Sequence, residues 1–195
     1  MKKISTLICM IIAAGFVFFS SKSTNNIHKT AQPQRRVTDK AVQTVPNNAH
    51  ANAQPQGIIT GRVVRVADGD TIILLDAQNK QTKIRFYGVD APEKAQDFGE
   101  VSRQYLADMV AGKDVVVTVV DVDQYGRSVS RIKVGDKEVA EEMLKAGMVW
   151  VYTSFCDIPE CKQWKQLETQ ARNAKIGLWA NPNAQKPWQW RWENK

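Results

Sequence analysis

The pattern of hydrophobic and polar positions changes twice along the chain. Residues 4–19 form a nearly unbroken apolar run after two lysines, residues 20–57 contain no aromatic residue, and from Ile58 onward short apolar runs alternate with polar positions. A basic start with an apolar run is typical of an export signal, and a segment with so little apolar surface is expected to be flexible. We therefore predict three parts: a signal peptide or N-terminal anchor at 1–19, a flexible basic tether at 20–57 and a folded domain at 58–195.

The apolar run at residues 4–19 predicts that the folded part is exported. Its sixteen residues lie between the usual core of a signal peptide and the roughly 20 residues of a membrane-spanning helix. Cleavage of this segment and its retention as a membrane tether therefore both stay open. In either case we expect a secreted, periplasmic or cell-envelope protein.

Five segments of the domain have the Val- and Ile-rich composition and the length of β-strands. They are Ile58–Val66, Thr71–Leu75, Thr82–Val89, Val115–Val122 and Arg127–Val134. Asp68-Gly69, between the first two segments, is a tight hairpin signal.

Three later stripes of apolar residues have helical spacing. They are Val101, Tyr105 and Met109; Val139, Ala140, Met143 and Leu144, stopped by Gly147; and Trp164, Leu167 and Ala171, between Pro159 and about Gly177. Because strands and helices do not alternate, the order disfavours a doubly wound sheet. It predicts an all-β or α+β fold, a small closed five-stranded barrel with about three packed helices.

The net charge of +7 gives little information about the domain itself. Residues 1–57 hold seven basic residues and one acidic residue, whereas residues 58–195 hold twenty and nineteen. Both histidines, His28 and His50, also precede the domain. A domain without imidazole excludes most catalytic triads, histidine-based nucleases and His-ligated zinc sites.

Three short stretches place charged residues beside turns in apolar strands. They are Asp68-Gly69-Asp70-Thr71, the segment 84–93 with Arg85, Asp90 and Glu93, and Asp123-Gln124-Tyr125-Gly126-Arg127. Each has a purely structural alternative: a hairpin turn for the first, an internal carboxylate partner for Arg85 in the second, and a surface hairpin for the third.

Taken together, these residues have the chemistry needed to cleave a phosphodiester. The carboxylates of Asp70, Asp90 and Glu93 are hard oxygen ligands that suit Ca²⁺ or Mg²⁺. The planar forks of Arg85 and Arg127 can each hold a phosphate through two donors. A cation and two guanidiniums would offset charge in the transition state, while a spare carboxylate orients or deprotonates water.

In this order and spacing, the three stretches resemble the staphylococcal nuclease (thermonuclease) family. The resemblance spans about Ile58 to Trp179 and implies an OB-type barrel. It implies that Asp70, Asp90 and the backbone carbonyl of Ala91 ligate Ca²⁺, and that Glu93 is the general base or positions the water. It further implies that Arg85 and Arg127 bind the scissile phosphate, and that DNA and RNA are cut to 3′-phosphate and 5′-hydroxyl ends.

The chain departs from the best-known member of that family at several positions. Ala91 replaces a threonine, which a backbone ligand tolerates, and Gln124 replaces a lysine. The segment Lys94 to Gly99 is shorter than the corresponding lysine-rich loop, and the nucleotide-pocket tyrosines have no clean match around Tyr152 and Phe155. We expect these differences to affect affinity and end preference more than the reaction.

The C-terminal third contains two further features. Cys156 and Cys161 lack the extra ligands of a zinc site, and in an exported chain we predict a disulfide between them. Trp188, Trp190 and Trp192 alternate, so an extended tail would point all three the same way. They could stack on bases of a single strand or fold back over an apolar edge of the barrel, and we favour the second.

The sequence thus predicts an exported, Ca²⁺-dependent, sugar-nonspecific nuclease, expected to be a monomer. The alternative is a nucleic-acid-binding module on the same barrel that has lost catalysis and is tethered at the cell envelope. All five residues Asp70, Arg85, Asp90, Glu93 and Arg127 are present, which favours the enzyme.

Overall fold

The computed structural model describes residues 57–195. The strands are β1 Gly57–Asp68, β2 Thr71–Leu75, β3 Gln81–Phe86, β4 Val89–Asp90, β5 Asp114–Val122, β6 Ser128–Val134, β7 Lys137–Glu138 and β8 Trp150–Val151. The α-helices are α1 Gly99–Val110, α2 Val139–Lys145, α3 Glu160–Asn173 and α4 Pro187–Glu193, with short 3₁₀ turns at Thr153–Phe155 and Gly177–Ala180. Within this part of the chain, no helix is both long enough and apolar enough to cross a membrane.

The predicted export segment and tether lie outside the described residues, with one exception. Gly57, assigned above to the tether, is the first residue of β1 and pairs with Val119 of β5. β1 therefore includes one residue that the sequence analysis assigned to the tether.

Five strands close into the predicted OB-type barrel. The sheet runs β3-β2-β1-β5-β6-β7 with antiparallel neighbours, and a parallel pairing of β3 with β6 closes it. The alternating apolar positions of these strands fill the interior, where Ile72, Leu74, Ile84 and Val117 are fully buried. This closed barrel with packed helices confirms the predicted fold class.

The third predicted strand, Thr82–Val89, is wrong in its extent. β3 ends at Phe86, and the chain then kinks at Gly88, where φ is +67°. A Cβ on Gly88 would lie 2.7 Å from Cys156 Sγ and 3.0 Å from the Trp164 ring. After the kink, β4 leaves the barrel and pairs with β8 instead.

The helices cover the barrel, but one of the three predicted faces is wrong. α2 and α3 bury their predicted stripes, including Met143, Leu144 and Trp164. In α1, however, Val101 is 49% exposed and Tyr105 is 36% exposed, while Leu106 and Val110 are fully buried. Leu106 and Val110 form a competing i, i+4 pair about 100° around the helix. That side packs on the core, and Met109 of the predicted stripe lies at its edge.

The C-terminal tryptophans lie on a helix and not on an extended segment. α4 begins at the buried Pro187, a residue favoured in the first helical turn. Trp188 stacks on Tyr152, with ring centroids 4.9 Å apart and 9° between the planes, and Trp192 is 72% exposed. Trp188 thus folds back as favoured, but it packs on a satellite cluster formed by Trp150, Ala171, Leu178 and Trp179.

A disulfide links Cys156, which precedes α3, to Cys161 in the first turn of that helix. Closing so short a loop is expected to stabilise the domain by about 2 kcal/mol through the unfolded state. We therefore expect a reductant to lower the melting temperature by roughly 5–10 °C in scanning calorimetry. A variant with both cysteines replaced by serine should melt at the lower temperature with or without reductant. A reductant effect of the same size on that variant would contradict this origin.

Candidate active site

A cleft of about 1160 Å³ opens between the kink after β3 and the β5–β6 turn. Charged side chains from distant parts of the chain line it: Asp68, Asp70, Lys83, Arg85, Asp90, Glu93, Asp121, Asp123, Arg127, Asp157 and Arg191. Aromatic side chains line it too, among them Tyr87, Tyr125, Tyr152 and Phe155.

At the floor of the cleft, Arg85 joins the two predicted metal ligands. Its Nη2 lies 2.7 Å from Asp90 Oδ1 and 3.2 Å from Asp70 Oδ2. Its Nη1 donates to the carbonyls of Phe86 and Val89, at 2.9 and 2.8 Å. The kink at Gly88 makes this possible, because it turns the chain back so that Asp90 reaches the side chain of a residue five positions earlier.

Asp70 is fixed by the hairpin that precedes it and by the chain after β4. Its Oδ2 accepts a hydrogen bond from the backbone N–H of Ala91 at 2.7 Å, and its Oδ1 accepts one from Thr71 Oγ1 at 3.0 Å. Asp70 and Asp90 are both buried. Residues 70 and 91 are therefore held together by a direct bond, which places the predicted carboxylate and carbonyl ligands in one region.

Glu93 and Arg127 lie at the same cleft but have different partners. Glu93 is held by its backbone N–H, which donates to Gln96 Oε1 at 3.1 Å. Arg127 forms an ion pair of 2.6 Å with Asp123 and lies over the Tyr125 ring. These local contacts are those expected of the surface hairpin, the structural alternative for this stretch. The structure thus brings Asp70, Arg85 and Asp90 into direct contact, and it adds Glu93 and Arg127 at the rim without an ion pair to those three.

Arg191 of α4 is a site residue that the sequence analysis missed. Its Nη2 lies 2.9 Å from Asp90 Oδ2 and its Nη1 lies 2.6 Å from Glu93 Oε1. The one signal that could have found it is Pro187, which favours a helix start and would place Trp188 and Arg191 on one face at i, i+3. The alternation of tryptophans concealed this signal, because it also fits an extended chain.

Burial and a neighbouring charge raise the pKa of two carboxyl groups in the cleft. Burial, followed by the charge of Asp70, raises the pKa of Asp90 to about 6, against the opposing effects of Arg85 and Arg191. Burial and the same neighbour raise the pKa of Asp68 to about 7. The carboxylates of Asp70, Asp90 and Glu93 contact two guanidiniums, and Asp68 lies beside Asp70, so this group carries an excess of negative charge when all are ionised.

That excess of negative charge fits a divalent cation. Within residues 57–195, no three His, Cys, Asp or Glu side chains form a ready-made metal cluster. A cation would therefore rely on Asp70 and Asp90, with backbone carbonyls and water supplying the remainder of the about six to eight oxygens that Ca²⁺ prefers. An all-oxygen donor set suits Ca²⁺ or Mg²⁺ and does not suit a metal that prefers thiolate or imidazole ligands.

Comparison with known proteins places this geometry in a family. The family model for staphylococcal nuclease homologues matches residues 83–181. The chain is 39% identical over 142 residues to a micrococcal nuclease of Shigella flexneri, across 68% of this chain and 80% of that protein. It is 42% identical over 129 residues to an uncharacterized endonuclease of Escherichia coli O157:H7, across 66% and 82%.

Plant proteins match over a smaller share of their length. A probable staphylococcal-like nuclease of Oryza sativa subsp. japonica is 44% identical over 112 residues, which is 57% of this chain and 33% of the rice protein. An uncharacterized 38.1 kDa protein of Capnoides sempervirens matches over 33% of its own length as well. The family match covers half of the chain, and the Shigella relative is matched over most of its length, so the chain belongs to the family of staphylococcal nuclease homologues.

Proposed function

We propose that this chain is a metal-dependent nuclease that hydrolyses phosphodiester bonds of DNA and RNA, with Ca²⁺ as its cation. The observation that supports this most directly is that Asp70, Arg85, Asp90, Glu93 and Arg127 all line one open cleft. Two relatives that carry the names micrococcal nuclease and endonuclease point to the same activity.

The arginines would bind the substrate through its phosphate. Arg85 approaches the cleft from the barrel side and Arg127 from the β5–β6 turn, so a phosphodiester between them would meet two planar forks. Their charges would stabilise the extra negative charge that develops on the phosphoryl oxygens in the transition state. Arg127 holds Asp123 through Nε, which leaves its terminal nitrogens for a phosphate, whereas Arg85 would exchange one of its present acceptors for the phosphate.

Glu93 would handle the proton of the attacking water. It lies at the rim of the cleft, 35% exposed, where a water can reach it from solvent. When bound at Asp70 and Asp90, the cation would lower the charge on the phosphate and fix its orientation. With the water attacking opposite the 5′ oxygen, the products are a 3′-phosphate and a 5′-hydroxyl.

We also propose that the protein works outside the cytoplasm. The motivation is the basic start and apolar run at the N-terminus, together with the disulfide between Cys156 and Cys161. Fractionation of cells that express the full chain, followed by immunoblotting, tests this. Recovery of the full-length protein in the cytoplasm would overturn it.

Removal of divalent cations is expected to abolish cleavage. Purified protein should nick a plasmid and degrade an RNA in millimolar Ca²⁺, and chelator should lower both rates by at least about 10²-fold, because the charge at the transition state is then left uncompensated. Gel assays with Ca²⁺, with Mg²⁺ and with chelator measure this directly.

The same assay separates the enzyme from a catalytically silent binding module. Gel shift of a labelled oligonucleotide without cleavage under every ionic condition would favour the module. Equal cleavage in Ca²⁺ and in chelator would rule out the metal role while leaving the nuclease activity.

A further inference from the structure

The C-terminal helix is docked beside the cleft by several independent contacts. Trp188 stacks on Tyr152, and the preceding Gln185 accepts a hydrogen bond through its carbonyl from Gln96 Nε2 at 2.8 Å. The side-chain oxygen of the buried Gln96 also accepts from the backbone N–H of Glu93. One glutamine therefore joins the segment that leads into α4 to the backbone that carries the predicted general base.

Docked in this way, α4 aims Arg191 at two carboxylates at once. Arg191 Nη1 lies 3.3 Å from Asp90 Oδ1 and 2.6 Å from Glu93 Oε1, and Arg191 Nη2 lies 2.9 Å from Asp90 Oδ2. Asp90 is 1% exposed, so its interaction with Arg191 is weakly screened by solvent. The guanidinium bridges the proposed metal ligand and the proposed base.

A divalent cation at Asp90 would meet this guanidinium as a competitor. Asp90 Oδ1 already contacts Arg85 and Arg191, and Oδ2 contacts Arg191, so a cation that binds Asp90 would lie close to two positive charges that repel it. Arg85 has additional acceptors at Phe86 and Val89, whereas Arg191 keeps only Glu93 among the contacts described for it. Arg191 is therefore the partner that is easier to move.

We propose that Arg191 is a positioning residue of this site, which holds Glu93 in the cleft and competes with the divalent cation for Asp90. This rests on the proposed metal-dependent nuclease function. The helix thereby raises the cation concentration at which the site fills, because the cation and the guanidinium repel each other at the same carboxylate. The interaction with Glu93 remains available after the cation has taken Asp90.

Calorimetric titration of the metal-free protein with CaCl₂, without nucleic acid, tests the competition. Arg191→Gln is expected to bind Ca²⁺ about tenfold more tightly than wild type, since one positive charge near the cation is removed. Lys195→Gln removes a charge just beyond the same helix and should change the affinity by less than about twofold at physiological salt. Asp90→Asn should lose the binding, which assigns the measured ion to this site.

Two further measurements keep the outcome decisive. Near-ultraviolet circular dichroism shows whether the Trp188–Tyr152 stack, and with it the docked helix, persists in Arg191→Gln. Arg191→Lys keeps the charge but loses the two-nitrogen contact, so its affinity should lie between wild type and Arg191→Gln. If Arg191→Gln does not fold, this second variant provides the comparison.

The results separate this inference from the function on which it rests. Ca²⁺ binding by wild type with equal or weaker binding by the Arg191 variants would overturn the inference alone. Absence of Ca²⁺ binding in wild type and variants at millimolar concentration would overturn both the calcium proposal and the competition.

Discussion

Glu93→Gln is expected to lower the turnover of DNA by about 10²–10⁴-fold while leaving its affinity nearly unchanged. The amide has the size of the carboxylate and can still accept a hydrogen bond from Arg191, but it cannot take a proton from water. Binding is measured by anisotropy of a labelled oligonucleotide in chelator, and turnover by single-turnover cleavage in Ca²⁺.

The matched control for this substitution is Glu100→Gln on α1. Glu100 is an exposed carboxylate that pairs with Arg103 at 2.8 Å, so this change removes an equal charge without touching the cleft. Its turnover should stay close to wild type. A Glu93→Gln enzyme within tenfold of wild type, or an equal fall in both variants, would show that Glu93 is not the base.

Arg85→Ala is expected to destabilise the metal-free protein by about 3 kcal/mol and to abolish cleavage. Removing this guanidinium leaves Asp70 and Asp90 buried side by side with one charge partner fewer, and breaking a buried ion pair in this way is costly. Ca²⁺ should restore part of the lost stability, because it binds the folded state through the same carboxylates. Urea denaturation in chelator and in Ca²⁺ measures both effects.

Arg127→Ala separates the structural from the chemical role of the two arginines. Arg127 pairs with Asp123 on a turn, so its loss should cost less than about 1 kcal/mol of stability. Turnover should nevertheless fall by about 10²–10³-fold, since a donor to the developing charge is lost. Wild-type stability of Arg85→Ala in chelator, or wild-type turnover of Arg127→Ala, would contradict this assignment.

Local patterns in the sequence were sufficient for the barrel. Segments such as Thr71–Leu75 are apolar over the usual length of a buried strand. The order of strands and helices along the chain disfavours a parallel doubly wound sheet. The internal carboxylate partner that the sequence analysis gave as the structural alternative for Arg85 is present, because a guanidinium in a buried strand needs an anionic partner and Asp70 and Asp90 supply it.

The features that the sequence did not predict depend on contacts between segments that are far apart along the chain. Arg191 and Asp90 are 101 positions apart, and no local periodicity encodes their contact. The α1 sequence carries two apolar stripes at helical spacing. Packing against the barrel buries Leu106 and leaves Tyr105 partly exposed. The W-x-W-x-W spacing is compatible with either a strand or a helix, and docking against Tyr152 decides between them.

The bend at position 88 makes the site dependent on a residue that contributes no atoms to it. Alanine there would combine a strained left-handed backbone with a clash against a sulfur and an indole ring, so the chain could relieve the clash only by straightening. Straightening would carry Asp90 away from Arg85. A mutational scan for loss of activity should therefore find one of its most sensitive positions at a residue without any functional group.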